Sequence, residues 1–163
     1  MRVRDETKLV ALKEAAFDLV EESGIVNLSI NKLAKKAGVS VATTYIYFDS
    51  KTDLLGKLFL QVYHVLVEDI VLSETETLTV EEQFTTLLQC YVTNFIKHPR
   101  EVAFYAAMTA NPEYLPEALR GKGSLMGSAM LTIIKEAYQA KKLITANVDL
   151  IIAQSLQPIQ WLL

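Results

Sequence analysis

Residues Leu28–Asp53, LSINKLAKKAGVSVATTYIYFDSKTD, constrain the fold more than any other stretch of the chain. Ser29 stands where a hydroxyl caps the free amides of a helix. Ile30, Leu33, Ala34 and Ala37 follow at i, i+3, i+4 and i+7, the spacing of one buried helical stripe. Lys32, Lys35 and Lys36 fall outside that stripe and face water or phosphate. Gly38 comes where a helix ends in a left-handed residue, which glycine adopts without a Cβ penalty. Val39 then tucks between helices, and Ser40 caps a second helix over Val41–Phe48. At about two turns that helix is too short to persist alone, so packing must hold it, with Phe48 as the anchor. Ser50 and Asp53 fit the S-x-x-D capping pattern of a third helix.

The second short helix concentrates hydroxyls in Thr43, Thr44, Tyr45 and Tyr47. Such groups bond phosphate oxygens or base edges, and a threonine methyl can touch a thymine methyl. Lys51 lies in the first turn of the next helix, where a cation opposes the helix dipole. That placement makes sense if a phosphate sits there, held by free amides as well as by the ammonium. Singly, each residue has a plainer reading. A tyrosine can be half-buried core, three lysines are usually a solvated face, and Ser40 caps a helix whatever else it does. In this order they predict a helix-turn-helix whose second helix enters a major groove.

On these residues the chain resembles the tetracycline-repressor (TetR) family of bacterial transcription regulators. The likeness rests on Leu28-Ser29-Ile30, Leu33-Ala34, Ala37-Gly38-Val39-Ser40, Thr43, Tyr45, Tyr47-Phe48 and Ser50-Lys51. Leu12, Ala15-Ala16, Leu19 and Gly24 extend it upstream. It covers about the first third of the chain. The resemblance implies an all-α fold: a three-helix DNA-binding head, a long fourth helix, and a helical body that binds a small ligand and dimerises. The expected head is 1–51, with the motif at 29–48, and the expected body is 52–163. Ser40, Thr43, Tyr45, Tyr47 and Lys51 carry over by position as DNA contacts, and Ser29, Val41 and Thr44 are grouped with them. Val41 and Ile46 are apolar where many relatives carry polar or basic groups, and Thr44 is polar where an apolar residue is usual. Any base readout by Val41 or Ile46 is therefore apolar, as with thymine methyls.

Charge has to be divided before it agrees with DNA binding. The 163 residues carry a net −3, yet residues 1–51 hold eight Lys or Arg against seven Asp or Glu. Residues 52–163 hold eight against twelve. Screening acts over roughly 8–10 Å, so the local balance governs phosphate contact. A weakly basic head predicts modest, salt-sensitive non-specific affinity. Arg2 and Arg4 are placed for a flexible arm or for plain solvation. The chain is 51% hydrophobic, which suits a compact fold. A single cysteine, Cys90, allows no internal disulfide and suits a reducing cytoplasm. No apolar run nears the roughly 20 residues of a membrane span, and Met1–Glu6 lacks the apolar core of a signal peptide.

Beyond the head the periodicity is helical throughout. The first helix is expected over Asp5–Ser23, and the one opening at Ser50 over residues up to Leu72. Ser73–Thr79 reads as a polar, acidic linker. Helices are expected over Val80–His98, stopped by Pro99, and over Arg100–Ala110, stopped by Asn111-Pro112. A longer one is expected over Pro116–Lys142, loosened by Gly121, Gly123 and Gly127. The last begins near Ala146 or Asn147, is interrupted at Pro158, and is still apolar at Trp161-Leu162-Leu163. Against the family's pattern, either the chain stops short of the final dimerisation helix or the dimer is built differently. A pocket, if present, is expected among residues 80–98, 100–110 and 116–142. Its candidate lining is Phe84, Leu88, Tyr91, Phe95, Phe104, Met108, Met126 and Met130. Aromatic and methionine stripes at this spacing are core roughly four times in five. No charged cluster accompanies them, so the expected effector is largely apolar.

The function expected is a cytoplasmic, ligand-responsive repressor, a homodimer on a pseudo-palindromic double-stranded operator. The alternative is a helical protein-interaction module without operator binding. An enzyme is not expected. The chain shows no nucleophile elbow, metal-ligand spacing or phosphate loop. His64 and His98 are far apart, and the adjacent pairs Glu21-Glu22 and Glu81-Glu82 point to different helix faces. No catalytic residue, metal or cofactor is expected.

Overall fold

The computed structural model describes residues 5–68, 78–120 and 127–155. Its elements are α1 (Glu6–Asn27), α2 (Ile30–Lys36), α3 (Val41–Tyr47) and α4 (Lys51–Tyr63). A π-helical turn, His64–Glu68, continues α4. Then come α5 (Val80–Lys97), α6 (Pro99–Thr109), the 3₁₀ turns Pro112–Tyr114 and Glu117–Leu119, α7 (Ser128–Gln139) and α8 (Val148–Ser155). All these elements are helical, so the all-α reading holds. The chain divides into two compact units, residues 1–62 with 100–116, and residues 63–99 with 117–163. The first unit therefore reaches past residue 51 and takes in α6.

In the first unit, local chemistry sets the helix ends. Asp5 caps α1 by accepting from the Thr7 amide, and Gly24 breaks its helical run at φ 76 and ψ 162. Gly38, at φ 67, turns the chain between α2 and α3. The Asp53 amide donates to Ser50 Oγ at 3.0 Å, and the Asp53 carboxylate accepts from the Asp49 amide at 3.0 Å. Leu12, Ala16, Leu33, Phe48, Leu54, Leu55, Leu58 and Phe59 are buried between these helices. α6 joins this core through aromatic pairs: Phe104 meets Phe17 edge-on at 5.0 Å, and Tyr105 stacks on Phe59 at 5.4 Å. Arg100 pins the start of α6 to α1. Its guanidinium donates to the Glu14 and Asp18 carboxylates and stands 5.4 Å from the Phe17 ring centre.

In the second unit α5 packs on α7 and on the π turn. Thr79 and Glu82 form a capping box at the start of α5. Pro99 ends α5 and then serves as the first residue of α6, where its missing amide costs nothing. The sequence pattern predicts one helix over 116–142, but α7 begins only at Ser128. Gly127 sits at φ 75, which interrupts any helix arriving from its N-terminal side. A Cβ on Gly127 would meet the Tyr91 hydroxyl, Val67 Cγ1 and the Val67 carbonyl oxygen, each at 3.0 Å. Gly127→Ala is therefore expected to lower stability by about 2–3 kcal/mol, above the ~1–2 kcal/mol of left-handed strain alone. Gly38→Ala has open space around its Cβ and should cost only that strain. Denaturant titration of the two variants makes the comparison. Expectations for Arg2, Arg4, Ser73, Pro158 and Trp161 onward lie outside the described residues.

The π turn aims Glu68 at the start of α7. Its carboxylate accepts from the Ser128 amide and from the Tyr63 hydroxyl, both at 3.1 Å. Hydrogen bonding from Ser128 is the main cause holding the Glu68 carboxyl below its ordinary value, and Tyr63 adds to it. Burial, reinforced by the Glu68 charge, pushes the Tyr63 phenol up to about 12. A carboxyl depressed in the folded state stabilises the fold above its unfolded pKa. That contribution is lost as pH falls through the folded value. Wild type should therefore melt above Glu68→Gln at neutral pH. The gap should narrow as the pH drops below the ordinary carboxyl value of 4.5. Melting both proteins across an acid series checks this.

Candidate nucleic-acid interface

The packing of α3 sorts its residues into two faces. Thr44 and Tyr47, three apart, point inward; Thr44 is 0% and Tyr47 7% exposed. Val41, Ala42, Tyr45 and Ile46 are exposed, and Thr43 lies half-buried between the faces. Tyr45 is 53% exposed, which is far more than a core tyrosine shows. The cap fixes the start of this surface. The Thr43 amide donates to Ser40 Oγ at 3.0 Å, and the Ser40 and Thr43 hydroxyls share a hydrogen bond at 2.8 Å. The exposed face carries two hydroxyls at its N-terminal edge, a phenol, and the apolar side chains of Val41 and Ile46. An apolar, hydroxyl-bearing ridge of this kind can meet thymine methyls and base edges while its rim takes phosphates.

Not every residue expected at the interface reaches it. Thr44 is a correction: it is fully buried, and its hydroxyl donates to the Ser40 carbonyl at 3.4 Å, so it cannot touch a groove. Tyr47 is another. Its hydroxyl donates to the Asp5 carbonyl at 3.0 Å and accepts from the Asp5 amide at 2.9 Å, tying α3 to the start of α1. Ser29 is half-buried and accepts from the Lys32 amide at 3.3 Å, so it acts as the α2 cap. Lys51 is half-buried. Its ammonium donates to the Val26 carbonyl at 2.9 Å and stands 4.9 Å from the Tyr114 ring centre. An ammonium has three donors, so a phosphate could still be met from that position.

The α2 lysines divide as well. Lys36 pairs with Glu22 at 2.6 Å and Asp18 at 3.6 Å, and the Glu22 hydrogen bond is the chief cause raising its pKa. Lys32 donates to the Asn27 carbonyl at 3.0 Å, and Lys35 is exposed. Ala42, absent from the expected contacts, and Ile46, expected only as an apolar one, complete the exposed face. Their spacing from Val41 and Tyr45 is the signal that finds them, once the buried phase is known.

The candidate pocket residues are distributed over both units. Phe104 and Met108 are buried in the first unit, 1% and 0% exposed. Tyr91, Phe95 and Met130 are buried in the second, and Leu88 is half-buried there. Phe84 lines an open cleft of about 200 Å³ in that unit with Val80, Thr85, Ala137 and Leu143, beside the Glu81–Lys142 ion pair. Met126 lies outside the described residues. No group of three or more His, Cys, Asp or Glu side chains could hold a metal among the described residues. No helix among them is long and apolar enough to cross a membrane.

Residues 12–58, which span α2, α3 and most of α1, match the family model of bacterial regulatory proteins, tetR family. A fatty acid metabolism regulator protein of Bacillus subtilis is 30% identical over 81 residues, covering 50% of this chain and 42% of that protein. The matched stretch thus spans less than half the length of that curated relative. Among solved structures, a TetR family transcription regulator from Marinobacter aquaeolei shares the fold with a TM-score of 0.76 at 24% identity. The likeness covers 99% of this chain and 84% of that one. A fatty acid degradation regulator from Bacillus halodurans matches with a TM-score of 0.69 at 20% identity, covering 99% and 86%.

Proposed function

We propose that the chain, whose residues 12–58 match the model of the tetR family of bacterial regulatory proteins, is a member of that family and a DNA-binding transcriptional regulator, not a catalyst. The observation that carries this reading is the exposed face of α3, a short helix held rigidly from behind. Thr44, Tyr47 and Phe48 lock it into the first unit. Val41, Thr43, Tyr45 and Ser40 stay open to a groove, with Lys51 at the rim. Acting as a homodimer, two such helices would read a pseudo-palindromic operator in the cytoplasm, with half-sites about one helical turn or a multiple apart.

The effector is proposed to be a largely apolar small molecule, acting as a switch of repression. Two relatives regulate fatty acid metabolism and degradation, and the aromatic and aliphatic side chains of α5 and α7 suit such a compound. An effector acts only through different affinity for the DNA-competent and DNA-incompetent arrangements. The test is gel retardation with fragments of genomic DNA, followed by addition of acyl and aromatic compounds. Release of a bound fragment by one apolar compound is the expected result. A shift that no apolar compound alters would overturn the effector half of the reading.

A further inference from the structure

A second concave site lies in the first unit, away from the exposed face of α3. Leu9 and Lys13 of α1 form one wall, and Leu58, Leu60 and Gln61 of α4 form the other. Tyr47, Phe48 and Lys57 complete the lining of a cleft of about 230 Å³. That is smaller than the roughly 300–1,000 Å³ of sites for drug-sized ligands, so it suits a short molecule. Its chemistry is one-sided. The lining holds two lysines and no carboxylate. Lys57 is already committed, at 2.7 Å from Asp53 and 5.7 Å from the Phe48 ring centre. Lys13 has no ion-pair or hydrogen-bond partner among the described residues. Leu60 is 40% exposed, which leaves apolar surface in contact with water beside that free ammonium.

We propose that this cleft binds a small amphipathic carboxylate. The acyl chain lies along Leu9 and Leu60 over a floor of Leu58 and Phe48, and removal from water of the acyl chain and of the exposed surface of Leu9 and Leu60 drives binding. The carboxylate pairs with Lys13, and the Gln61 amide can donate to its second oxygen. Partial shelter from solvent strengthens the ion pair over a fully exposed one. The occupant bridges α1 and α4 where Tyr47 ties α3 to Asp5. It therefore braces the end of the recognition helix from behind.

The test is a titration of the full chain, with ¹³C-labelled leucine methyls, by sodium hexanoate and separately by hexylammonium chloride. Hexanoate is expected to shift the Leu9, Leu58 and Leu60 methyls saturably, and hexylammonium is not. Lys13→Glu should weaken hexanoate binding by about tenfold, the scale of a sheltered ion pair turned repulsive. Lys13→Met, which keeps the apolar stem, is the second variant should the charge reversal fail to fold, and it too should bind more weakly. Absence of saturable shifts at these leucines would overturn the proposal. So would equal affinity for the two probes, hexanoate affinity unchanged by loss of the Lys13 charge, or shifts confined to Leu143 in the second unit.

Discussion

Replacing Thr43 and Tyr45 together by alanine is expected to weaken binding to a selected operator by about 100-fold. The same protein should melt within about 2 °C of wild type. The size follows from two contacts of about 1–3 kcal/mol each, of which the lower half suffices. The silence on stability follows from the structure. Tyr45 is 53% exposed and has little packing to lose. The cap of α3 uses the Thr43 backbone amide, which alanine retains. Fluorescence anisotropy on labelled operator gives the first quantity and a thermal melt the second. Thr44→Val is the control. Its hydroxyl is buried and bonded within α3, so the substitution should move the melting temperature and leave the preferred operator sequence unchanged.

Phe59→Ala should do the opposite. The ring is 0% exposed and stacks on Tyr105 of α6 at 5.4 Å. Deleting it removes apolar contact and leaves a cavity, at a cost of about 3–5 kcal/mol. Against a typical folding stability of about 5–15 kcal/mol, that is a large fraction. For a chain of 163 residues each kcal/mol is worth roughly 2–4 °C, so a fall of at least about 6 °C is expected. DNA affinity measured well below the melt should be affected far less than in the Thr43 and Tyr45 variant. The pair of experiments separates residues that build the head from residues that would read DNA.

The head was legible in the sequence because its signals are local. Ser29, Ser40 and Ser50 act within one turn of themselves, and Gly24 and Gly38 take positive φ where helices stop. The phase of α3 was not legible. A two-turn helix with hydroxyls at 43, 44, 45 and 47 gives no periodicity to say which hydroxyls face inward. Only the packing behind it turns Thr44 and Tyr47 into the core. The partners of Lys36 and Lys51 were hidden for a related reason. Glu22 and Val26 lie 14 and 25 residues away, and sequence spacing carries no information about such contacts. The placement of α6 in the first unit rests on Arg100, Phe104 and Tyr105 meeting residues far back in the chain. In the second unit, Gly127 looked like a weak point inside a helix. Its positive φ makes it the start of one.

The most direct measurement is selection of bound fragments from a random double-stranded DNA pool, at two salt concentrations, with the full chain. The proposed reading predicts enrichment of a pseudo-palindrome whose half-sites share one helical face, with affinity falling steeply as salt rises. It also predicts that the Thr43 and Tyr45 double variant recovers no such sequence. A folded, dimeric protein that enriches nothing, or enriches the same site without those side chains, would contradict it.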